Sequence, residues 1–300
     1  MLKIAHSNIY QHPLPEKHRF PMEKYQLLPQ QLLYEGLVKK ENFFAPTPLS
    51  ERQILTTHDE NYWEKLKNLT LTKSEIRKTG FPLSAQLVER EITIAGGTIE
   101  CTHYAKEFGV AMNIAGGTHH AFTNRGEGFC LLNDQALASH YLLQNKLVKR
   151  ILIVDLDVHQ GNGTAEIFQD NPHVFTFSMH GKHNYPLKKE KSDLDIELPD
   201  GIKDNDYLNL LDENLDKAWG IHQPDFVFYQ SGVDIIESDK LGRLGVSLDG
   251  CKQRDKIVLK KCWRQKIPVV CSMGGGYSPK IYDIVEAHAN TYRVAVDIYF

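Results

Sequence analysis

No stretch of this chain approaches the ~18 consecutive apolar residues that a membrane span requires. The N-terminus, Met1-Leu-Lys-Ile-Ala-His6, lacks the apolar core of a signal peptide. The five cysteines (Cys101, Cys130, Cys251, Cys262 and Cys271) are odd in number and show no C-x-x-C spacing. That argues against a disulfide framework and for reduced thiols. Charge of either sign is not in excess. A formal net charge of -3 over 300 residues gives no global electrostatic reason to bind nucleic acid or an anionic membrane. No low-complexity tract, fixed-period repeat or obvious linker divides the sequence. The expectation is a soluble, cytoplasmic protein with neither nucleic acid nor membrane as partner.

What the chain does have is short apolar runs alternating with longer amphipathic ones. Lys3–His6, Val110–Ala115, Ile151–Asp157, Val174–Met179, Phe226–Gln230 and Ile267–Ser272 read as buried strands. Pro82–Phe108, Asn133–Gln144, Asn205–Trp219, Leu248–Gln265 and Ile281–Tyr299 read as helices. This alternation predicts an α/β fold on one parallel sheet covered on both faces. The first eighty residues, rich in proline and aromatics, read as helices and loops around one end of that sheet. The strong strands end in clusters of Gly, His, Asp or Ser, which should meet along one edge.

The most informative run is Ile151-Leu-Ile-Val-Asp155-Leu-Asp157-Val-His159-Gln-Gly-Asn162-Gly. If the strand continues, alternation turns Asp155, Asp157 and His159 to one side and Leu156 and Val158 to the other. Two carboxylates and an imidazole at the carboxyl end of a buried strand suit a borderline divalent cation such as zinc. Past Val110–Ala115 come Gly116-Gly117-Thr118-His119-His120, where the glycines release adjacent histidines into a turn. Gly126-Glu-Gly128-Phe129-Cys130 puts a glycine-bracketed aromatic, either core or pocket wall, before a helix capped by Asn133. Phe226–Gln230 leads to Asp234, Glu237 and Asp239, one of which could supply a third ligand. Met273-Gly274-Gly275-Gly276-Tyr277 aims a tyrosine over the same edge, where its hydroxyl can polarise a carbonyl.

The motifs G-G-T-H-H-A, G-F-C-L-L-N-D, D-L-D-V-H-Q-G-N-G-T, G-V-D-x-x-x-x-D-K-L-G and G-G-G-Y, in this order, resemble the zinc-dependent histone deacetylases of the arginase/deacetylase superfamily. The resemblance runs from about His6 to Tyr292 and implies one catalytic domain over residues 1–300, with a sheet of about eight strands. The Gln-Gly-Asn form and the opening Leu14–Met22 look most like the class IV branch and its bacterial relatives. The resemblance implies a zinc held by Asp157, His159 and Asp239. It implies a structural potassium at Asp155, Asp157, His159 and Ser178, partly through backbone carbonyls. His119 and His120 would handle protons, Tyr277 would polarise the carbonyl, and Gly128 and Phe129 would line an acyl-lysine tunnel. Arg19 matches an arginine beside an internal cavity for the released acid.

On that reading the chain is an amidohydrolase that removes acetyl or longer acyl groups from lysine or a related amine. His120 is the principal base and then the acid, and His119, paired with Asp155, is the more electrostatic partner. Where class I members carry an aspartate, this chain has Asn162, which accepts the same N–H bond without charge and tunes the imidazole rather than disabling it. A two-manganese ureohydrolase would want more metal-bridging aspartates and has no use for Tyr277. A non-catalytic acyl-lysine reader would not need the intact ligands, His pair and tyrosine. Acylated proteins, acetylated polyamines and acylated peptide metabolites all remain open as substrates, with modest Val246 expected near the tunnel mouth.

Overall fold

Uninterrupted apolar runs become strands buried on both faces, and here they assemble into one sheet. The computed structural model describes residues 1–300. Its strands are β1 (Lys3–Ala5), β2 (Phe43–Phe44), β3 (Val110–Asn113), β4 (Ile151–Asp155), β5 (Val174–Gly181), β6 (Leu194–Leu198), β7 (Phe226–Gln230) and β8 (Val269–Ser272). Every pairing is parallel, and the order is β2-β1-β3-β8-β7-β4-β5-β6. The four central neighbours β3, β8, β7 and β4 are buried at every residue. Because they run parallel, their carboxyl ends share one edge, as the sequence pattern requires.

The helices are α1 (Lys24–Tyr34), α2 (Glu51–Ile54), α3 (Glu60–Lys67), α4 (Lys73–Thr79), α5 (Ala85–Phe108), α6 (Asp134–Gln144), α7 (Asn162–Phe168), α8 (Asp204–His222), α9 (Leu248–Gln265) and α10 (Ile281–Tyr299). α9 and α10 match the expected spans, and Asn133 caps α6 by accepting from the Ala136 amide at 3.0 Å. A single apolar cluster of 76 buried residues runs through sheet and helices, so no second core divides the chain. No helix is long and apolar enough to cross a membrane.

Two edge strands escaped the sequence pattern. β2 has only two residues, and β6 alternates Leu194-Asp-Ile-Glu-Leu198 with just Leu198 fully buried. Edge strands lose one neighbour and one covered face, so their apolar signal thins. The expected strand Ile151–Asp157 also stops early, at Asp155. Beyond it, carboxylates replace strand partners: the Asp157 amide donates to Asp155 Oδ1 (3.2 Å), Val158 to Asp234 Oδ1 (2.9 Å) and His159 to Asp157 Oδ1 (3.0 Å). The convergence of acids and imidazole therefore comes from a side-chain-bonded loop, not from strand alternation.

Asp134, at the start of α6, ties the sheet edge to the helices. One oxygen accepts from the amides of Gly117 and Thr118 (both 2.9 Å) and from Thr118 Oγ1 (2.8 Å). The other accepts from Thr98 Oγ1 (2.7 Å) on α5 and Ser272 Oγ (3.1 Å) on β8. Removing this carboxylate strands buried donors on three elements. Asp134→Ala is expected to cost about 3 kcal/mol in urea unfolding. A loss under about 1 kcal/mol would mean the donors find other partners.

Candidate active site

The site collects at the carboxyl ends of β3, β8, β7 and β4. After β3 the backbone takes positive φ at Gly116 (80°) and Gly117 (75°), which turns His119 and His120 inward with ring centroids 4.1 Å apart. Each ring is held through Nδ1. His119 lies 2.7 Å from Asp155 Oδ2 and His120 lies 2.6 Å from Asn162 Oδ1. Oxygen acceptors on both Nδ1 atoms put the proton there and leave each Nε2 for a substrate. Burial alone would depress both imidazoles. Asp155 and Asp157 outweigh it at His119 and raise its pKa, whereas burial and the neighbouring His119 and His159 hold His120 well below the usual histidine range. His119 is thus biased toward the imidazolium and His120 toward the neutral ring.

Three donor atoms lie within 4.8 Å of one another on Asp157, His159 and Asp234, all buried. The single Nδ1 of His159 faces Asp157 Oδ1 at 3.0 Å and Asp234 Oδ2 at 3.1 Å. One ring proton cannot serve both carboxylates, and Asp234 Oδ2 is buried without a hydrogen-bond partner. Burial and the charge of Asp157 push the Asp234 carboxyl up to about 7, while its two acids overcome burial and lift His159 to about 10. An orphaned carboxylate oxygen, a second acid and an imidazole fit a divalent cation of the zinc type. The glycines leave room for these groups. A Cβ on Gly275 would collide with Asp234 Oδ2, and one on Gly232 with Asp157 Oδ2.

The buried Arg254 of α9 clamps the two loops that carry the acids. It donates to the carbonyls of Leu156 (3.3 Å) and Ser231 (3.2 Å) and to that of Gly232, while Asp255 holds its Nε at 3.0 Å. Nothing in a helix reading of Leu248–Gln265 marked this arginine, because its partners are backbone carbonyls distant in sequence.

The geometry corrects the expected ligand set at Asp239. That residue is not in the cluster. Its Oδ1 accepts from the amides of Leu241 (2.8 Å) and Gly242 (2.9 Å), and its Oδ2 accepts from Tyr277 N. Asp234 takes the third place because it lies four residues past the end of β7, whereas the chain has turned away by Asp239. Asp239 instead fixes the Tyr277 backbone. The half-buried ring of Tyr277 stands 6.3 Å from His159 and 5.9 Å from Phe129, between centroids.

Gly128 (φ 52°) packs against His120, and Phe129 itself holds φ 69°, an uncommon conformation for a bulky side chain, so its ring lines the cavity above the His pair. Tyr185, which the sequence reading passed over, lies 5.0 Å from His120 in an edge contact and donates to Glu127 at 2.6 Å. Two further expectations move. Arg19 is exposed at the outer mouth with its guanidinium 5.0 Å from the Phe129 ring centre, not beside an inner cavity. The cations on the inner side are buried Arg90, which lines that cavity, and buried Lys24, bonded to the Gly274 carbonyl at 3.0 Å. Val246 is wholly buried, bridging to Ile236, and does not face the mouth. Ser178 pairs in register with Asp155 and has its hydroxyl on His180 Nδ1 at 2.9 Å.

An eight-stranded parallel α/β sheet flanked by helices, with an acid–imidazole candidate metal site at its carboxyl edge, has the arginase/deacetylase type of fold. The histone deacetylase domain model matches residues 18–292, and the chain belongs to that family. It is 46% identical over 290 residues to an uncharacterised Picosynechococcus protein, covering 97% of each chain. It is 33% identical over 270 residues to histone deacetylase 2 of Arabidopsis thaliana, covering 87% of this chain and 70% of that one. The crystal structure of a histone deacetylase homologue complexed with SAHA superposes with a TM-score of 0.85 at 25% identity, covering 99% of this chain and 84% of that one. Family membership makes the chain a deacetylase-type amide hydrolase.

The choice between the two acids is directly measurable. Asp234→Asn is expected to lose stoichiometric zinc after reconstitution, whereas Asp239→Asn retains it and loses turnover through a displaced Tyr277. Zinc content by atomic emission separates them, and metal loss only in Asp239→Asn would restore the original assignment.

Proposed function

We propose that this chain is a zinc-dependent deacylase that removes acetyl or longer acyl groups from the side-chain amine of lysine, as one catalytic domain over residues 1–300. The observation that carries this reading is the convergence, in one cavity, of the Asp157–His159–Asp234 set with two oriented imidazoles and Tyr277. Asp157, His159 and Asp234 would hold the zinc, which supplies Lewis acidity toward an amide carbonyl and a water. His120, neutral and carrying its proton on Nδ1, takes the water proton at Nε2 and passes it to the leaving lysine amine. His119, polarised by Asp155, contributes positive charge beside the developing oxyanion, and the Tyr277 hydroxyl donates to that oxygen. Phe129 and Tyr185 flank the lysine methylenes and exclude water. Asp155, Asp157, His159 and Ser178 are proposed to hold a monovalent cation, with Asp155 and Ser178 side by side on neighbouring strands. Five free, buried cysteines support a reducing, cytoplasmic compartment.

Tyr277→Phe tests the carbonyl polariser. Losing one oxyanion donor costs on the order of 100- to 1,000-fold in kcat, with zinc content unchanged. Full kcat on an acyl-lysine peptide would make Tyr277 a packing residue only.

The His pair is tested through pH. His120→Ala is expected to lose nearly all activity and His119→Ala to retain more. Asn162→Asp sets a carboxylate on His120 Nδ1 and raises that imidazole's pKa. Because His120 must be neutral to act as base, the acidic limb of the kcat/KM profile moves to higher pH. A limb that stays in place would assign the base to another group.

A further inference from the structure

We infer that the tunnel mouth selects acyl-lysines flanked by acidic residues and disfavours acylated polyamines, an inference that rests on the deacylase reading above. Outside the His pair the tunnel opens into a cavity of about 350 Å³. Arg19, Lys78, His183 and Arg243 line it, and no Asp or Glu does. All four are exposed. The guanidinium of Arg19 lies over the face of Phe129 rather than on a carboxylate. Asp200 is shared between the His183 ring (3.2 Å) and Arg243 (3.5 Å), while Arg19 and Lys78 have no carboxylate partner. Glu127 does not line the cavity, and its oxygens are taken by Tyr185 Oη (2.6 Å) and Arg125 Nε (2.8 Å). The mouth therefore keeps an excess of positive charge around the same opening.

The butylene chain of an acyl-lysine spans the tunnel, which leaves its backbone and neighbouring residues at this mouth. Acidic neighbours meet Arg19, Lys78 and Arg243, whereas basic ones are repelled. An acylated polyamine carries its next ammonium about where the lysine backbone would lie, in the midst of these cations. Each exposed pair is weak by itself, but three acting together set a preference that salt should screen.

The test uses the full chain with two labelled peptides that share one acyl-lysine and differ only in Asp/Glu against Lys/Arg flanks, beside an N-acetylated polyamine. Binding by fluorescence anisotropy is measured next to kcat/KM. The expected acidic preference is roughly tenfold at low salt, shrinking toward unity near ~1 M salt. Arg19→Glu/Lys78→Glu/Arg243→Glu should reverse it, and Lys78→Glu alone should shift it in the same direction by less. Turnover and binding indifferent to flank charge would overturn the inference and leave the deacylase reading standing. Acid-preferring binding with no turnover of any substrate would uphold the mouth preference and overturn the deacylase reading. Preferred turnover of the polyamine would overturn the inference outright.

Discussion

Around His159, two carboxylates share one ring nitrogen in a buried site, and much of the surrounding structure exists to hold that arrangement. Buried like charges repel, and an ion left without a counter-charge costs several kcal/mol. The fold offsets this by aiming donors at the acids. Gly275 N reaches Asp157 Oδ2 at 2.8 Å, and the Val158 amide reaches Asp234 Oδ1 at 2.9 Å. The Gly275 donor comes from the loop after β8 and the Val158 donor from the loop after β4, so the acids bind the loops past β4, β7 and β8 together. Arg254 does the same from below with carbonyls in place of carboxylates. One carboxylate oxygen is still left without a hydrogen-bond partner, and the donor set fits a divalent cation.

The sheet was legible because its central strands are buried on both faces and read as plain apolar runs. The site residues on β3, β4 and β8 followed from their place just past those runs. Asp234 was visible as one of three acids after β7, yet family likeness pointed to Asp239, the second aspartate of the same G-V-D-x-x-x-x-D-K-L-G motif. Distance from the strand end was the better guide, since only the first few residues past a strand remain at the sheet edge. The loop from Asp155 to His159 also reached its outcome by another route than expected. A period-two strand puts alternate side chains on one side, but carboxylates capturing backbone amides do so without a strand. Such side-chain-to-backbone bonds leave no period in the sequence. Lys24, Arg90 and Arg254 stayed hidden for a related reason: a buried cation reads in sequence like any surface one until its partners are known.

Arg19 shows where likeness and physical placement part. Its loop joins no strand of the central sheet, and only packing against Phe129 fixes its side chain. The inner and outer ends of the tunnel are therefore built differently. At the inner end, glycines crowded by Gln230, Asp157 and Asp234 leave no space for a side-chain change without moving the acids. At the mouth, Arg19, Lys78, His183 and Arg243 project from loops or the end of a short helix, are exposed, and tolerate substitution without disturbing the core. Chemistry is thus tied to the sheet, where any shift disturbs several hydrogen bonds together. On the proposed reading, substrate choice rests on side chains whose charge can change alone. A deacylase built this way adapts to a new partner at the rim, through the charge balance there, while the sheet edge stays as it is.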